Sequence, residues 1–152
     1  MIFILVYLII FLYLVYIIWI TEPIFLKNQN TKLKTNPNVS IIISARNEQN
    51  NIEKLLDGII NQSYPNDKYE IIIANDRSTD ETLSMLSDYQ EKFNNFFIID
   101  IKKTKKNWSS KKWALNECIK KASGDIILQT DADCFHKYYW IESMVNAFDN
   151  EN

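Results

Sequence analysis

Residues 39–48 read VSIIISARNE, a short apolar run that passes directly into polar residues. Similar runs occur at 69–74, 96–101 and 125–130, each rich in isoleucine or aromatic residues and flanked by polar ones. Such runs are typical of strands buried in a parallel sheet. Longer amphipathic stretches separate them, so the order β-α-β-α-β-α-β-α predicts an α/β fold with an open, mostly parallel sheet and flanking helices.

The helical stretches are recognised by apolar residues at helical spacing. Ile52, Leu55, Leu56, Ile59 and Ile60 follow the i, i+3, i+4, i+7, i+8 pattern of one apolar face. Similar stripes predict helices over about 83–93, 113–122 and 138–148. For the third of these, Ser109 or Ser110 is the predicted N-cap, and Gly124 lies just beyond the predicted end.

The N-terminus differs in composition from the rest of the chain. Residues 1–20 read MIFILVYLIIFLYLVYIIWI, without a charge, glycine or proline, and twenty helical residues span about 30 Å, the thickness of a hydrocarbon core. We therefore predict a transmembrane helix at 1–20, with a buried core helix as the alternative. Residues 21–38 are polar and read as a linker. Lys27, Lys32 and Lys34 follow the apolar run, which predicts that the soluble part, 39–152, faces the cytoplasm from the cell membrane.

The composition excludes several kinds of site. Two glycines in 152 residues are too few for a glycine-rich phosphate loop or a dinucleotide fingerprint. A single histidine, His136, excludes a site built from several histidines. The net charge of −2 argues against a general nucleic-acid partner.

Polar residues cluster where three of the predicted strands end. Residues 44–48 follow the first strand, 75–80 follow the second, and Asp131 and Asp133 follow the fourth. In an open parallel sheet such loops converge on one crevice at the carboxyl edge. Another interpretation is that these residues only cap the helices that follow, which suits 78–80 in particular.

Asp131 and Asp133 are less easily explained as caps. Two carboxylates at i, i+2 spacing after an apolar strand repel each other unless a counter-charge is present. A divalent cation together with a diphosphate supplies one, since Mg²⁺ favours one or two carboxylates plus substrate phosphates. The spacing therefore favours a metal and phosphate site.

Lysines dominate the stretch 102–121, where Glu117 is the sole acidic residue. One interpretation is a solvated or membrane-facing surface that attracts anionic lipid. Another is that a lysine reaches a substrate phosphate. Lys111 and Lys112 are best placed for that role, because they lie near a predicted helix N-terminus, which itself favours anions.

Four segments in register carry a resemblance to a known family. They are SIIISARNE at 40–48, NDRSTDET at 75–82, KKWALN at 111–116 and GDIILQTDAD at 124–133. Together they resemble the nucleotide-binding half of family 2 glycosyltransferases, over about 38–150. That family has the GT-A fold and includes membrane-bound synthases of the hyaluronan, chitin and cellulose type. The resemblance implies a GT-A-like, Rossmann-like sheet.

The resemblance also implies roles for residues in the first two loops. Ser44, Arg46 and Glu48 are expected to line the pocket for the nucleotide base. Asp76 is expected to accept a hydrogen bond from that base, typically uracil. Asn75 departs from the pattern, since many members carry an aspartate there.

Residues of the later segments are expected to hold the diphosphate and the metal. Lys111 occupies the position of the basic residue near the diphosphate. Asp131 and Asp133 match the DxD motif, with Asp133 the expected direct ligand of Mn²⁺ or Mg²⁺. Asp131 is expected nearer the ribose and sugar while sharing in the metal site.

The function implied by the resemblance is inverting, metal-dependent transfer of a sugar from a nucleotide-sugar, expected to be UDP-linked, to a polysaccharide or lipid acceptor. The acidic residues after Asp133 lie in or after the last predicted helix, so no catalytic base is identified before Asn152. We expect the chain to be the donor-binding half of such an enzyme. Two alternatives stay open: a non-catalytic membrane-tethered module that binds nucleotide-sugars, and a flavodoxin- or receiver-like signalling domain, which leaves the two aspartates unexplained.

Overall fold

The computed structural model describes residues 2–26 and 36–149 of the chain. Those residues fall into two units, divided between 1–32 and 33–152. The first unit contains one helix, and the second contains the sheet and the remaining helices.

Helix α1 runs over Ile2–Leu26, so it continues past the predicted end at Ile20 and through Pro23. Proline removes one backbone donor and often bends a helix, but it does not always end one. Within the described ranges no helix satisfies the joint demands of length and apolar character for crossing a bilayer, so the membrane span predicted for 1–20 finds no support there. Residues 27–35 of the predicted linker lie outside the described residues.

The second unit alternates strands and helices in the predicted order. The elements are β1 (Val39–Ala45), α2 (Ile52–Ile60), β2 (Tyr69–Asp76), α3 (Thr82–Lys92), β3 (Phe96–Ile101), α4 (Ser110–Lys121), β4 (Ile126–Asp131) and α5 (Trp140–Asp149). A short 3₁₀ turn, Asn66–Lys68, precedes β2. The predicted strands are all present, and β2 extends two residues further than expected, through Asn75 and Asp76.

The four strands form one parallel sheet in the order β3-β2-β1-β4. Strand β1 lies inside the sheet and pairs with β2 on one side and β4 on the other. Its residue Ser44 is level with Ala74 of β2 and with Asp131 of β4. The carboxyl ends of three strands therefore reach the same edge of the sheet side by side. The predicted parallel α/β sheet is confirmed.

Helices cover both faces of the sheet, which explains why the strands read as continuous apolar runs. Ile41 and Ile43 of β1 point into the core formed with α2, α3 and α5. Ile42 points to the opposite face and packs with Ala114 and Cys118 of α4. These side chains are almost fully buried, and each buried isoleucine contributes about 1.5–3 kcal/mol to stability.

Gly124 lies where the chain passes close to the start of β1. It lies just beyond the end of α4 at Lys121, as predicted, but its φ is not positive, and the backbone N–H of Ala122 makes the last hydrogen bond of the helix, to Cys118. A Cβ at position 124 would lie 2.6 Å from the backbone nitrogen of Ser40. The backbone N–H of Gly124 donates to Ser40 Oγ at 2.8 Å. Glycine is thus required by close backbone approach.

Candidate functional site

A cavity of about 310 Å³ lies at the carboxyl edge of the sheet. It is bounded by the ends of β1, β2 and β4 and by the start of α4. Its lining comprises Ser44, Arg46, Glu48, Asp76, Ser110, Lys111, Asp131, Ala132 and Asp133. Every side chain that the resemblance assigned to the donor and metal sites therefore lines this cavity, whereas Lys112, the other lysine considered for a phosphate contact, does not.

Another cavity, of about 340 Å³, lies near the amino end of β2 and is lined by residues such as Ile60, Asn66, Tyr69 and Phe93. Its lining is mostly apolar or amide, with Asp67 and Lys92 as its only charged members. Six of the nine residues that line the carboxyl-edge cavity are charged, which is the more usual composition of a site for a charged ligand.

The loops after β1 and β2 are tied together by hydrogen bonds from one loop to the other. The backbone N–H of Asn47 donates to Ser78 Oγ at 3.0 Å, and its side-chain Oδ1 accepts from the N–H of Thr79 at 2.8 Å. The N–H of Glu48 donates to Thr82 Oγ1 at 2.8 Å. Asn47 has a φ of 56°, which asparagine tolerates better than most residues. Hydrogen bonds therefore connect the segment that carries Glu48, a lining residue, to the segment that follows β2.

The capping role suggested as an alternative for 78–80 is met only in part, because Asp80 bonds to the start of α3 while the N-cap residue itself, Glu81, makes no side-chain capping bond. Asp80 Oδ1 accepts from the backbone N–H of Thr82 at 3.1 Å and from its hydroxyl at 2.6 Å. Its other oxygen accepts from the N–H of Gln49 at 3.2 Å. None of the residues 78–80 lines the cavity, so these side chains organise the loops that carry Glu48 and Asp76.

Asp76 ends β2 with its side chain only 4% exposed. Arg77 follows it and donates to the carboxylate twice, from Nε to Oδ1 at 2.9 Å and from Nη2 to Oδ2 at 3.4 Å. The same Nη2 donates to Ser110 Oγ at 2.6 Å. The buried charge of Asp76 is thus paired, as buried carboxylates require, and the pair is joined to α4.

Helix α4 brings a lysine to the acidic end of β4. Lys111 Nζ lies 2.8 Å from Asp131 Oδ1, and both side chains are about half exposed. This hydrogen bond raises the pKa of Lys111 above its ordinary value. Ser109 occupies the N-cap position, as predicted, but its side chain makes no capping hydrogen bond. Ser110 instead turns its hydroxyl to Arg77.

Asp133 is exposed at the cavity mouth, two residues beyond the end of β4. Among residues 2–26 and 36–149 no three His, Cys, Asp or Glu side chains are grouped so as to hold a metal ion by themselves. Two carboxylates with water and phosphate oxygens nevertheless match the preference of Mg²⁺ for incomplete protein coordination. The donor set therefore fits a hard cation held jointly with a phosphate ligand.

Two residues at this site were not assigned a functional role from sequence. Ser110 lines the cavity, and Arg77 bonds to two of the lining residues, Asp76 and Ser110. Each lies next to a residue that was assigned, Lys111 and Asp76 respectively. Proximity to an assigned residue was therefore the one sequence feature that could have pointed to either of them. The bond between Arg77 and Ser110 itself joins positions 33 residues apart, which no local pattern indicates.

Comparison with known proteins places these features in a family. The profile of "Glycosyl transferase family 2" matches residues 40–152. The chain is 37% identical over 101 residues to "Probable glycosyltransferase YdaM" of Bacillus subtilis, a match that covers 66% of this chain. The match covers 24% of that relative, so the chain spans about a quarter of its length.

Solved structures share the fold. TarS from S. aureus in complex with UDP-GlcNAc superposes with a TM-score of 0.64 at 23% identity, over 74% of this chain and 31% of that one. The mannosyltransferase PcManGT from Pyrobaculum calidifontis, in complex with GDP-Man and Mn²⁺, superposes with a TM-score of 0.62 at 28% identity. That match covers 80% of this chain and 35% of the other.

Proposed function

The chain belongs to glycosyl transferase family 2, and from this premise we propose that its carboxyl-edge cavity binds the nucleotide-sugar donor of a membrane-associated glycosyltransferase. The donor is a UDP-sugar, and the sugar is transferred with inversion to a polysaccharide or lipid acceptor. The observation that carries the proposal is the convergence of Glu48, Asp76, Lys111, Asp131 and Asp133 on one cavity.

The proposed placement of the donor follows the charges of the cavity. Asp76 is an acceptor-only group, which suits an N–H such as that of uracil. Lys111 is a cationic residue of the lining and suits a diphosphate, while Arg46 belongs to the proposed base pocket with Ser44 and Glu48. The names of two structural neighbours support a nucleotide-sugar ligand, since those proteins were solved with UDP-GlcNAc and with GDP-Man.

We assign Asp133 and Asp131 as the side chains that hold Mn²⁺ or Mg²⁺ when the donor is bound. The metal supplies charge neutralisation at the diphosphate leaving group. The residues of the chain then have separate tasks. Lys111 donates to the diphosphate. The hydrogen bonds between loops 47–49 and 78–82 fix the positions of the residues that form the base pocket.

We also propose that helix α1 attaches the chain to the cytoplasmic face of the cell membrane. The proposal is supported by its side chains from Val6 to Ile18, which are all apolar or tyrosine and all more than a third exposed. Such a contiguous exposed apolar surface marks an interaction site. Recovery of the full chain in the membrane fraction, and its release when Leu8 and Leu12 are both replaced by lysine, tests this point.

The test of the proposed function is calorimetric titration of the full chain in detergent with UDP, with and without Mn²⁺, followed by an assay of UDP-sugar turnover. We expect UDP to bind and Mn²⁺ to strengthen binding at least tenfold. Absence of UDP binding refutes the proposal. Binding without sugar transfer or donor hydrolysis favours the non-catalytic module instead.

A further inference from the structure

Arg77 has a backbone conformation that its residue type disfavours. Among the described residues, the non-glycine positions with positive φ are Asn47, Arg77 and Asn107, with φ of 56°, 56° and 67°. Asparagine is enriched in this left-handed region, whereas a residue with a long side chain adopts it at a cost. A glycine at position 77 would adopt the same backbone without that strain. Contacts of the side chain must therefore hold Arg77 in place.

Those contacts are all made toward the candidate site. The guanidinium donates to both oxygens of Asp76 and, through Nη2, to Ser110 Oγ. The contact with Oδ1 of Asp76 is the shorter, at 2.9 Å against 3.4 Å for Oδ2. The planar fork of arginine thus fixes the plane of the carboxylate, which a point-like ammonium cannot do.

The carboxylate held in this way is part of the cavity wall. Asp76 and Ser110 both line the cavity, but Arg77 does not. A fixed carboxylate presents only acceptors, so it pairs with the N–H at position 3 of uracil and opposes the lone pair at the same position of cytosine. Discrimination between the two bases depends on how rigidly that acceptor is aimed, because misaligned hydrogen bonds weaken steeply.

We propose that Arg77 is a positioning residue that aims the Asp76 carboxylate and thereby sets the selectivity of the site for uracil over cytosine. This inference rests on the proposed function, since it assigns the base pocket to the same cavity. Arg77 acts through Asp76 and has no contact with the nucleotide. Its bond to Ser110 ties the guanidinium to the start of α4.

The experiment measures the dissociation constants of UDP and CDP for the full chain in Mn²⁺, and takes their ratio. The diphosphate and the metal are common to both nucleotides, so the ratio isolates the base pocket. We expect the wild-type chain to prefer UDP by at least tenfold and Arg77→Gly to reduce this preference to threefold or less. Arg77→Lys, which keeps the charge without the fork, should lie between them.

Asn107→Gly is the matched control, because it relieves a left-handed residue that does not line the cavity. It should leave the ratio within twofold of the wild type. If Arg77→Gly weakens UDP and CDP equally, or weakens neither, the positioning role is overturned while the proposed function stands. If the wild-type chain binds neither nucleotide, the proposed function fails and this inference fails with it.

Discussion

Lys111 Nζ and Asp131 Oδ1 are 2.8 Å apart, so the start of α4 and the end of β4 are joined by an ion pair across the cavity. Both side chains are about half exposed. Exposed ion pairs contribute about 0–1 kcal/mol to stability. The main effect of this ion pair is therefore to position the Lys111 ammonium group beside the proposed diphosphate site.

Replacement of Lys111 by methionine separates the contribution of this lysine to nucleotide binding from its contribution to folding stability. We expect the affinity for UDP in Mn²⁺ to fall about tenfold, which corresponds to about 1.4 kcal/mol, while the free energy of unfolding changes by less than about 1 kcal/mol. Titration calorimetry and urea unfolding give the two quantities. Lys112→Met is the control, because that exposed neighbour does not line the cavity. Equal losses of affinity in both variants would contradict the assignment.

Asp133→Ala tests the proposed metal ligand. Removing one of two carboxylate ligands should abolish the strengthening of UDP binding by Mn²⁺, while binding without metal changes little. Asp88→Ala removes the same charge from an exposed residue of α3 that does not line the cavity, and it should keep the full metal effect. A variant at 133 with undiminished metal dependence would show that this aspartate does not hold the metal.

The two cysteines should differ sharply in reactivity. Cys118 is buried, and burial raises the pKa of its thiol to about 11, whereas Cys134 is exposed. Because the thiolate is the reactive form, we expect Ellman's reagent at pH 8 to modify one thiol in the native chain and the second only after unfolding. Cys134→Ser should remove the fast reaction, and Cys118→Ser should preserve it. Two fast thiols in the native chain would disprove the burial of Cys118.

We expect the chain to lose stability in mild acid because His136 is partly buried in the folded state. Its ring stacks on Trp140 with centroids 3.9 Å apart, and its Nε2 lies 2.7 Å from Thr130 Oγ1. Burial lowers the pKa of His136 below the ordinary 6.5. As the pH falls, the unfolded chain therefore binds a proton at this histidine before the folded chain does. The contribution of His136 to the free energy of unfolding is complete above pH 6.5 and decreases as the pH falls toward the folded-state pKa.

Urea unfolding at pH 7.5 and pH 5.5 measures this effect. The chain contains a single histidine, so His136→Gln should remove the histidine contribution to the difference between the two values. An unchanged pH dependence in that variant would mean that other groups are responsible.

Gly124→Ala should destabilise the sheet. The added Cβ would lie 2.6 Å from the nitrogen of Ser40 and 2.8 Å from the carbonyl carbon of Val39, and neither backbone atom can move without displacing β1. We expect a cost of about 1–3 kcal/mol, typical of overpacking. At Gly58→Ala the nearest contact is 3.1 Å, and alanine gains about 1 kcal/mol of helix propensity there, so the loss should be smaller. Thermal or urea unfolding ranks the two variants.

The sheet and the location of the site were predictable because both depend on local patterns. Apolar runs such as 39–44 identify buried strands, and parallel pairing then brings the residues that follow each run to one edge. For this reason Asp76 and Asp131 were predicted to share one edge of the sheet, whereas Lys111 was placed there by its position near a helix start and by the family resemblance.

The supporting contacts were not predictable, because they depend on backbone angles and register that the chain adopts only when folded. Arg77 bonds to Ser110 and has a positive φ, a conformation that the arginine residue type does not predict. The serine consequently serves the site, although its position at a helix start indicated a cap. Likewise, the continuation of α1 through Pro23 runs against the local preference of proline.

The cross-bonded loops after β1 and β2 have a practical consequence for engineering donor preference. Asn47 takes its partners from Ser78 and Thr79, while Glu48 takes its partner from Thr82. A chimera that imports only one of these loops from a homologue would leave backbone N–H groups in both loops without their hydrogen-bond partners. Segments 46–49 and 77–82 should therefore be transplanted as a single cassette.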